Sequence, residues 1–249
     1  MNFFVRQLKG AEIGNFVNTT PTIISLYDHF KQPIPVKFDS AYVKELYKDW
    51  DKIKVIDDTS GLTQLVHSGE HNHHSINEGI RRHHVVMDKL GIKCNEVPLP
   101  YAPSLNTKLD GEYVVIARGC IDHPRAGWKQ HKEVGDDIFK NIMSKIDLPI
   151  YIVGNTADYK RSLHRMKNYG KDVKYCLDDI REVVSLITGC KYMISNDTGL
   201  YHVAGALNKN IFVIWKDTPF KKNQSPGKGC FFSHKGNWEK DYINWRKKC

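Results

Sequence analysis

Between Lys191 and Trp215 the chain reads KYMISNDTGLYHVAGALNKNIFVIW, and this stretch constrains the fold more than any other. Tyr192 to Ser195 is a short apolar run of strand length, and Asn196 to Gly199 is a polar turn. Leu200 to Leu207 reads as a helix, and Ile211 to Trp215 as a second strand. A strand that turns straight into a helix leaves several backbone N–H groups without intrahelical partners. Those amides, with the positive end of the helix dipole, make a site for phosphate. Asp197 or Thr198 can cap the helix, and Gly199 lets the backbone approach a ligand closely. The same pattern also fits a capped helix in an ordinary α/β core, so the pattern alone leaves both readings open.

The remaining chain alternates in the same manner. Phe3 to Arg6 reads as a first strand, followed by a loop from Gln7 to Asn15 that contains Gly10 and Gly14. Thr20 and Pro21 read as the cap and first position of a helix, with Ile23, Ile24 and Tyr27 facing inward. Val36 to Phe38 and Ile53 to Ile56 are further strands, with a helix from Ala41 to Tyr47 between them. Tyr113 to Ala117 opens a second series, continued by a helix around Glu133 to Ile146, a strand from Ile150 to Val153 and an amphipathic helix from Asp178 to Thr188. Such alternation predicts parallel sheets covered on both faces, with ligands at the carboxyl ends of the strands. Glu96 to Asp110, EVPLPYAPSLNTKLD, holds three prolines and no helical period, and reads as an interdomain linker.

Leu62 to His84 carries His67, His71, His73, His74, His83 and His84. His67, His71 and His74 have the spacing of one helix face, yet no cysteine or carboxylate set completes a metal site. With Ser, Asn and Gly interspersed, the segment reads as an exposed loop. The six cysteines are scattered without a C-x-x-C pair, which fits reduced thiols in a cytoplasmic protein. No apolar run is long enough for a transmembrane helix, and MNFFVRQLKG lacks the features of a secretory signal.

The chain of 249 residues has a formal charge of +9. From Lys216 to Cys249 there are nine Lys or Arg against three Asp or Glu, so this tail carries most of the excess. Basic charge favours anionic partners: nucleotide diphosphates, phosphorylated glycans, nucleic acid or a membrane surface. Trp238, Tyr242 and Trp245 recur at helical spacing, so they either stack bases or dock a terminal helix on the body. Docking is the expectation adopted here.

NDTGLYHVAGAL resembles the Asp-Thr-Gly-x-x-His signature of glycosyltransferase family 9, the heptosyltransferase-like enzymes. RQLKGAEIGNFVNTTPTIISL is similar to that family's opening strand, glycine loop and Thr-Thr-Pro helix start. CLDDIREVVSLITGCKYMISNDTG resembles the helix that leads into the signature strand. The resemblance implies an α/β protein of GT-B type, two Rossmann-like domains with parallel sheets facing across a cleft. The N-terminal one is reduced here, because family chains are usually longer. It places an acceptor-side domain at residues 1–100, closed by a helix from His83 to Gly91, a linker at 101–110, a nucleotide-sugar domain at 111–220 and a basic tail with a crossover helix at 221–249.

The implied activity is inverting, metal-independent transfer of a sugar from a nucleotide-sugar donor, with no cofactor beyond that co-substrate. The implied acceptor is a phosphorylated glycan of the lipopolysaccharide-core type, met with possible peripheral membrane contact. A hydroxymethylated base in viral DNA is an alternative acceptor. For the donor diphosphate, the resemblance assigns the Asp197–Thr198–Gly199 turn and His202, with Lys129 of GWKQHKE. Arg118 and Arg125 are further cations of the same kind. Gly14, Thr19 and Thr20 fall on the acceptor side. Where the family carries Gly-Asp in its first loop, with the aspartate as proposed base, this chain has Gly14–Asn15. An amide accepts no proton but still orients a hydroxyl. Glu12 is the nearest replacement base, with Asp122 or His123 as others. If none serves, the chain is a nucleotide-sugar-binding module without turnover.

Overall fold

The computed structural model describes residues 1–8, 13–68, 76–94, 96–107, 109–119, 134–161, 173–216, 229–234 and 236–248. The chain divides into two units, one built on Met1–Pro103 and the other on Ser104–Phe220 with Gly227–Cys249. All strand pairings described within the two sheets are parallel.

The first unit contains β1 (Phe3–Gln7), α1 (Ile13–Val17), α2 (Thr20–Phe30), β2 (Ile34–Phe38), α3 (Ala41–Tyr47), β3 (Ile53–Val55), β4 (Thr63–His67) and α4 (Ile76–Lys89). Its sheet runs β3-β2-β1-β4. Thr19, not Thr20, occupies the N-cap of α2, and Pro21 supplies a first-turn position that needs no amide partner. Ile23 and Leu26 are fully buried beneath this helix, while Ile24 and Tyr27 are half-buried. Phe16 packs against Tyr47 and Phe38 with ring centroids 4.7 and 5.1 Å apart. The Tyr47 hydroxyl donates to the Tyr101 carbonyl at 3.0 Å, and Tyr101 stacks on Trp50. The proline-rich stretch is therefore pinned to this unit as far as Tyr101.

The histidine-rich segment is not a loop throughout, which corrects the reading of its first part: Thr63–His67 pairs with β1. His83 lies in a helix, as expected from His83 onward, and that helix starts earlier, at Ile76. Alternating polar residues in TQLVH disguise an edge strand with one wet face. His71, His73 and His74 lie outside the described residues. His83 is 1% exposed, and its Nε2 lies 2.6 Å from Ser25 Oγ on α2. Burial, and secondarily the neighbouring charge of His84, pushes its pKa down to about 4.

An unfolded histidine binds its proton near 6.5, so between the two values the unfolded chain holds more protons than the folded one. Stability is therefore full above about pH 6.5 and falls as acid approaches pH 4, by on the order of 3 kcal/mol for the whole shift. The first unit's melting temperature is expected to drop between pH 7 and pH 5, and His83→Gln should flatten that slope. An unchanged slope in the variant would remove His83 from the account.

The second unit contains β5 (Val114–Ala117), α5 (Asp136–Met143), β6 (Ile150–Gly154), α6 (Thr156–Arg161), β7 (Val173–Leu177), α7 (Ile180–Gly189), β8 (Tyr192–Asn196), α8 (Gly199–Ala206), β9 (Ile211–Ile214), β10 (Cys230–Ser233) and α9 (Trp238–Arg246). Its sheet runs β10-β9-β8-β5-β6-β7. Side chains of a strand alternate between faces, and both faces of this sheet are dry. Val114, Ile116, Ile152, Tyr192, Ile194 and Phe212 pack on one side under α5 and α9. Val115, Ala117, Met193, Val213 and Trp215 pack on the other under α7 and α8. Burial raises the thiols of Cys176 and Cys190 to about 12, so neither is a nucleophile at neutral pH. Leu105 N–H donates to Thr188 Oγ1 and Ser185 Oγ to the Asn106 carbonyl, so residues after Ser104 are tied to α7.

The terminal helix groups with the second unit. Tyr242 and Trp245 are buried against Tyr192 and Phe212, with centroids 5.4 to 5.5 Å apart. The Tyr192 and Tyr242 hydroxyls meet at 3.1 Å, and Trp238 Nε1 donates to the Ser233 carbonyl. These aromatics dock the helix rather than stack bases. The strand that precedes it, β10, was hidden in the basic tail.

Candidate functional site

In the second unit, the strands run outward in both directions from the β5–β8 pair. β6 and β7 follow β5 on one side, while β9 and β10 follow β8 on the other. Chain crossovers therefore leave the carboxyl ends of β5 and β8 toward opposite faces of the sheet. A crevice opens at such a reversal, and ligands of doubly wound sheets bind there. The two segments that meet at this point are Ala117–Gly119 and Ser195–Gly199, the second being the turn that the sequence marks for phosphate.

The turn is held from below. Ser195 Oγ donates to the Ala117 carbonyl at 3.1 Å and lies 3.5 Å from Thr198 Oγ1. Asn196 is fully buried. Its Nδ2 donates to the Gly119 carbonyl at 2.9 Å, and the Gly119 N–H donates back to Oδ1 at 3.1 Å. Asp197 and Thr198 are 3% and 6% exposed, whereas Gly199 and Leu200 are half-exposed. Thr198 is the N-cap of α8, and its hydroxyl makes no capping bond to the first turn. The accessible part of the turn is thus the start of α8, where first-turn amides have no intrahelical acceptor and the dipole is positive. His202 follows one turn later, 8% exposed, its ring 4.1 Å from that of Tyr201.

Arg118, expected among the diphosphate cations, is held by its own unit. Its Nε and Nη2 donate to the Val134 carbonyl at 3.2 and 2.8 Å, and Nη1 pairs with Asp136 at the start of α5. With the side chain 3% exposed, it staples the end of β5 to the next helix. Lys129, Arg125, Asp122 and His123 lie outside the described residues.

The first unit repeats the arrangement in miniature, with its reversal between β1 and β4. At their carboxyl ends the Leu8 N–H donates to Ser68 Oγ at 3.1 Å. Buried Gln7 accepts from the Ser40 N–H at 2.9 Å. Gly14 is buried and Asn15 half-buried on α1, and Glu12 lies outside the described residues. The hydroxyls of Thr19 and Thr20, two residues expected on the acceptor side, are bonded within the first unit. Thr19 Oγ1 donates to the Asn15 carbonyl, and Thr20 Oγ1 donates to the Val17 carbonyl while accepting from the Tyr101 N–H. Both are buried.

Sequence reasoning missed Ser195, Asn196 and Gly119. The only signal was adjacency of Ser195 and Asn196 to the signature. Among the described residues, no group of three or more His, Cys, Asp or Glu is placed to hold a metal ion. No described helix is long and apolar enough to cross a membrane.

The sheet has the Rossmann strand order, with a glycine-started helix at its reversal point. Residues 174–228, which contain the turn, match the model of glycosyltransferase family 9 (heptosyltransferase). No curated protein sequence matches the chain. A glycosyl transferase family 9 structure from Veillonella parvula aligns with TM-score 0.73 and 10% identity, over 99% of this chain and 96% of that one. The E. coli heptosyltransferase WaaC with ADP aligns with TM-score 0.66 and 12% identity, over 99% and 98%. The E. coli ADP-heptose lps heptosyltransferase II aligns with TM-score 0.65 and 13% identity, over 94% and 90%. The chain thus has the GT-B-like fold of these structures, two units each built on a parallel sheet, and residues 174–228 are similar to glycosyltransferase family 9.

Proposed function

We propose that this protein is an inverting glycosyltransferase of the cytoplasm that takes its sugar from a nucleotide-sugar donor and passes it to a hydroxyl of a phosphorylated glycan. The observation that carries the reading is the Asp197–Thr198–Gly199 turn at the reversal between β5 and β8. The family match over residues 174–228 and the relative solved with ADP support it. An acceptor of the lipopolysaccharide-core type rests on the name of the second E. coli relative and on the basic tail. A DNA acceptor draws support from charge alone.

Transfer breaks the bond between the anomeric carbon and the diphosphate oxygen while the acceptor oxygen bonds to the opposite face of that carbon. Negative charge grows on the departing diphosphate. The start of α8 meets it with backbone N–H groups, the Thr198 hydroxyl and the dipole, and His202 is assigned to the leaving oxygen. Lys129 is assigned as a point charge on the same group. The acceptor proton goes to a carboxylate, for which Glu12 is the assignment, while Asn15 orients the hydroxyl. No metal ion is required where helix dipole and lysine neutralise the leaving group.

Purified protein incubated with ADP-, UDP- and GDP-sugars is expected to release one nucleoside diphosphate slowly by donor hydrolysis, with the rate unchanged by EDTA. Loss of release in chelator would overturn metal independence. Tight donor binding with no release under any acceptor would leave the binding-module reading, which Asn15 motivates. No binding of any nucleotide would remove the transferase assignment altogether.

A further inference from the structure

We propose that Asn196 is a positioning residue of the donor site, acting by locking the Gly119 peptide against the diphosphate turn. This rests on the reading of residues 197–199 as that turn.

The argument begins with register. β5 and β8 are adjacent parallel strands, with Ala117 opposite Ser195. Beyond that pair the ladder ends, and the two chains are free to splay. Asn196 prevents this with a two-bond ring, its carboxamide donating to the Gly119 carbonyl and accepting from the Gly119 N–H. Both backbone groups of Gly119 are satisfied by one buried side chain. A side-chain amide is the group that offers a donor and an acceptor in one plane at that reach.

Gly119 in turn is fitted to Thr198. A Cβ added at Gly119 would lie 3.0 Å from Thr198 Cγ2 and 3.3 Å from Thr198 Cβ. The Gly119 backbone therefore passes directly over the N-cap of α8 and limits where Thr198 can sit. Ser195 completes the frame, its hydroxyl 3.1 Å from the Ala117 carbonyl and 3.5 Å from Thr198 Oγ1. Asn196 touches no diphosphate in this scheme. It fixes Gly119, Gly119 fixes Thr198, and Thr198 sets the direction of the first-turn amides of α8. Anion binding at preorganised donors depends on that direction, because a cradle that reorients on binding loses affinity.

The test uses the full-length protein with ADP, UDP and GDP as probes, following whichever wild type binds best. Asn196→Ala is expected to weaken that affinity at least 10-fold, and Gly119→Ala by a comparable factor. If Asn196 works through Gly119, the double variant binds within about twofold of the weaker single one, since coupled neighbours are not additive. Asn196→Asp has nearly the same shape but, when ionised, offers no donor to the Gly119 carbonyl. Position 196 is fully buried, and burial favours the neutral carboxyl, raising its titration above the usual carboxylate range. Its affinity, taken as a ratio to wild type at the same pH, is therefore expected to be low at pH 8 and to recover as the pH falls toward 5, where the protonated carboxyl donates again. The Gly119 amide should exchange with deuterium faster in Asn196→Ala than in wild type. Thermal melts accompany every variant, and if Asn196→Ala fails to fold, the pH rescue of Asn196→Asp carries the test.

Wild-type affinity in Asn196→Ala, multiplying losses in the double variant, or a pH-independent defect in Asn196→Asp would each overturn the inference. A wild-type protein that binds none of the three nucleotides would instead overturn the donor site itself.

Discussion

Replacing Asp197 with alanine is expected to lower nucleoside diphosphate release from the donor at least 100-fold in kcat/KM, about 3 kcal/mol of transition-state stabilisation. Asp197 is 3% exposed and stands between the last residue of β8 and the N-cap of α8. A carboxylate beside a helix N-terminus is stabilised by the dipole and in turn holds the backbone that enters the helix. Its removal leaves a void under the turn and misdirects the amides that meet the leaving group. Asp197→Asn separates shape from charge. If the residue shapes the turn, the asparagine variant keeps most of the wild-type rate while alanine does not. Steady-state release assays on both variants, with melts to confirm folding, give the answer. Full turnover in Asp197→Ala would exclude this turn from catalysis.

The largest effect on stability is expected from Trp245→Ala. Trp245 is 7% exposed and contacts Tyr192, Phe212 and Tyr242, which close one face of the second sheet. Truncating a buried tryptophan costs about 3–5 kcal/mol. For a unit of this size the second unit's melting temperature should fall by roughly 10 °C or more. Arg246 also sits over the Tyr192 ring at 4.8 Å, so loosening the helix removes that contact too. Lys247→Ala, at an exposed position of the same segment, should shift the transition by under about 0.5 kcal/mol. Differential scanning calorimetry distinguishes them, and equal small shifts would mean that the helix is dispensable.

Much of the architecture was legible because most of its strands are short apolar runs separated by helical periods. β5, β8 and β9 are buried on both faces and read as continuous hydrophobic segments. The phosphate turn was legible for a local reason, a strand meeting a helix at Asp-Thr-Gly. What stayed hidden depends on pairings distant in sequence. β4 has polar residues on one face, and β10 is a four-residue edge inside a basic tail. Thr19 and Thr20 look like site hydroxyls until their partners, the Asn15 and Val17 carbonyls and the Tyr101 amide, are known. Arg118 looks like a phosphate cation until Val134 and Asp136 claim its donors. Charge and hydroxyl content are visible in a sequence, but whether a neighbour already satisfies them is not.

The Gly119–Asn196 ring joins positions 77 residues apart. A nascent chain that has emerged only through α7 has β5, β6 and β7 but lacks Asn196, so the proposed nucleotide site forms late in synthesis. Loop-closure entropy makes such a distant pairing slow to form. Any nucleotide that binds only the finished unit then adds RT ln(1 + [L]/Kd) to its stability. Cellular nucleotide would act as a ratchet on maturation, and refolding yields measured with and without it would register when the last strands have locked in.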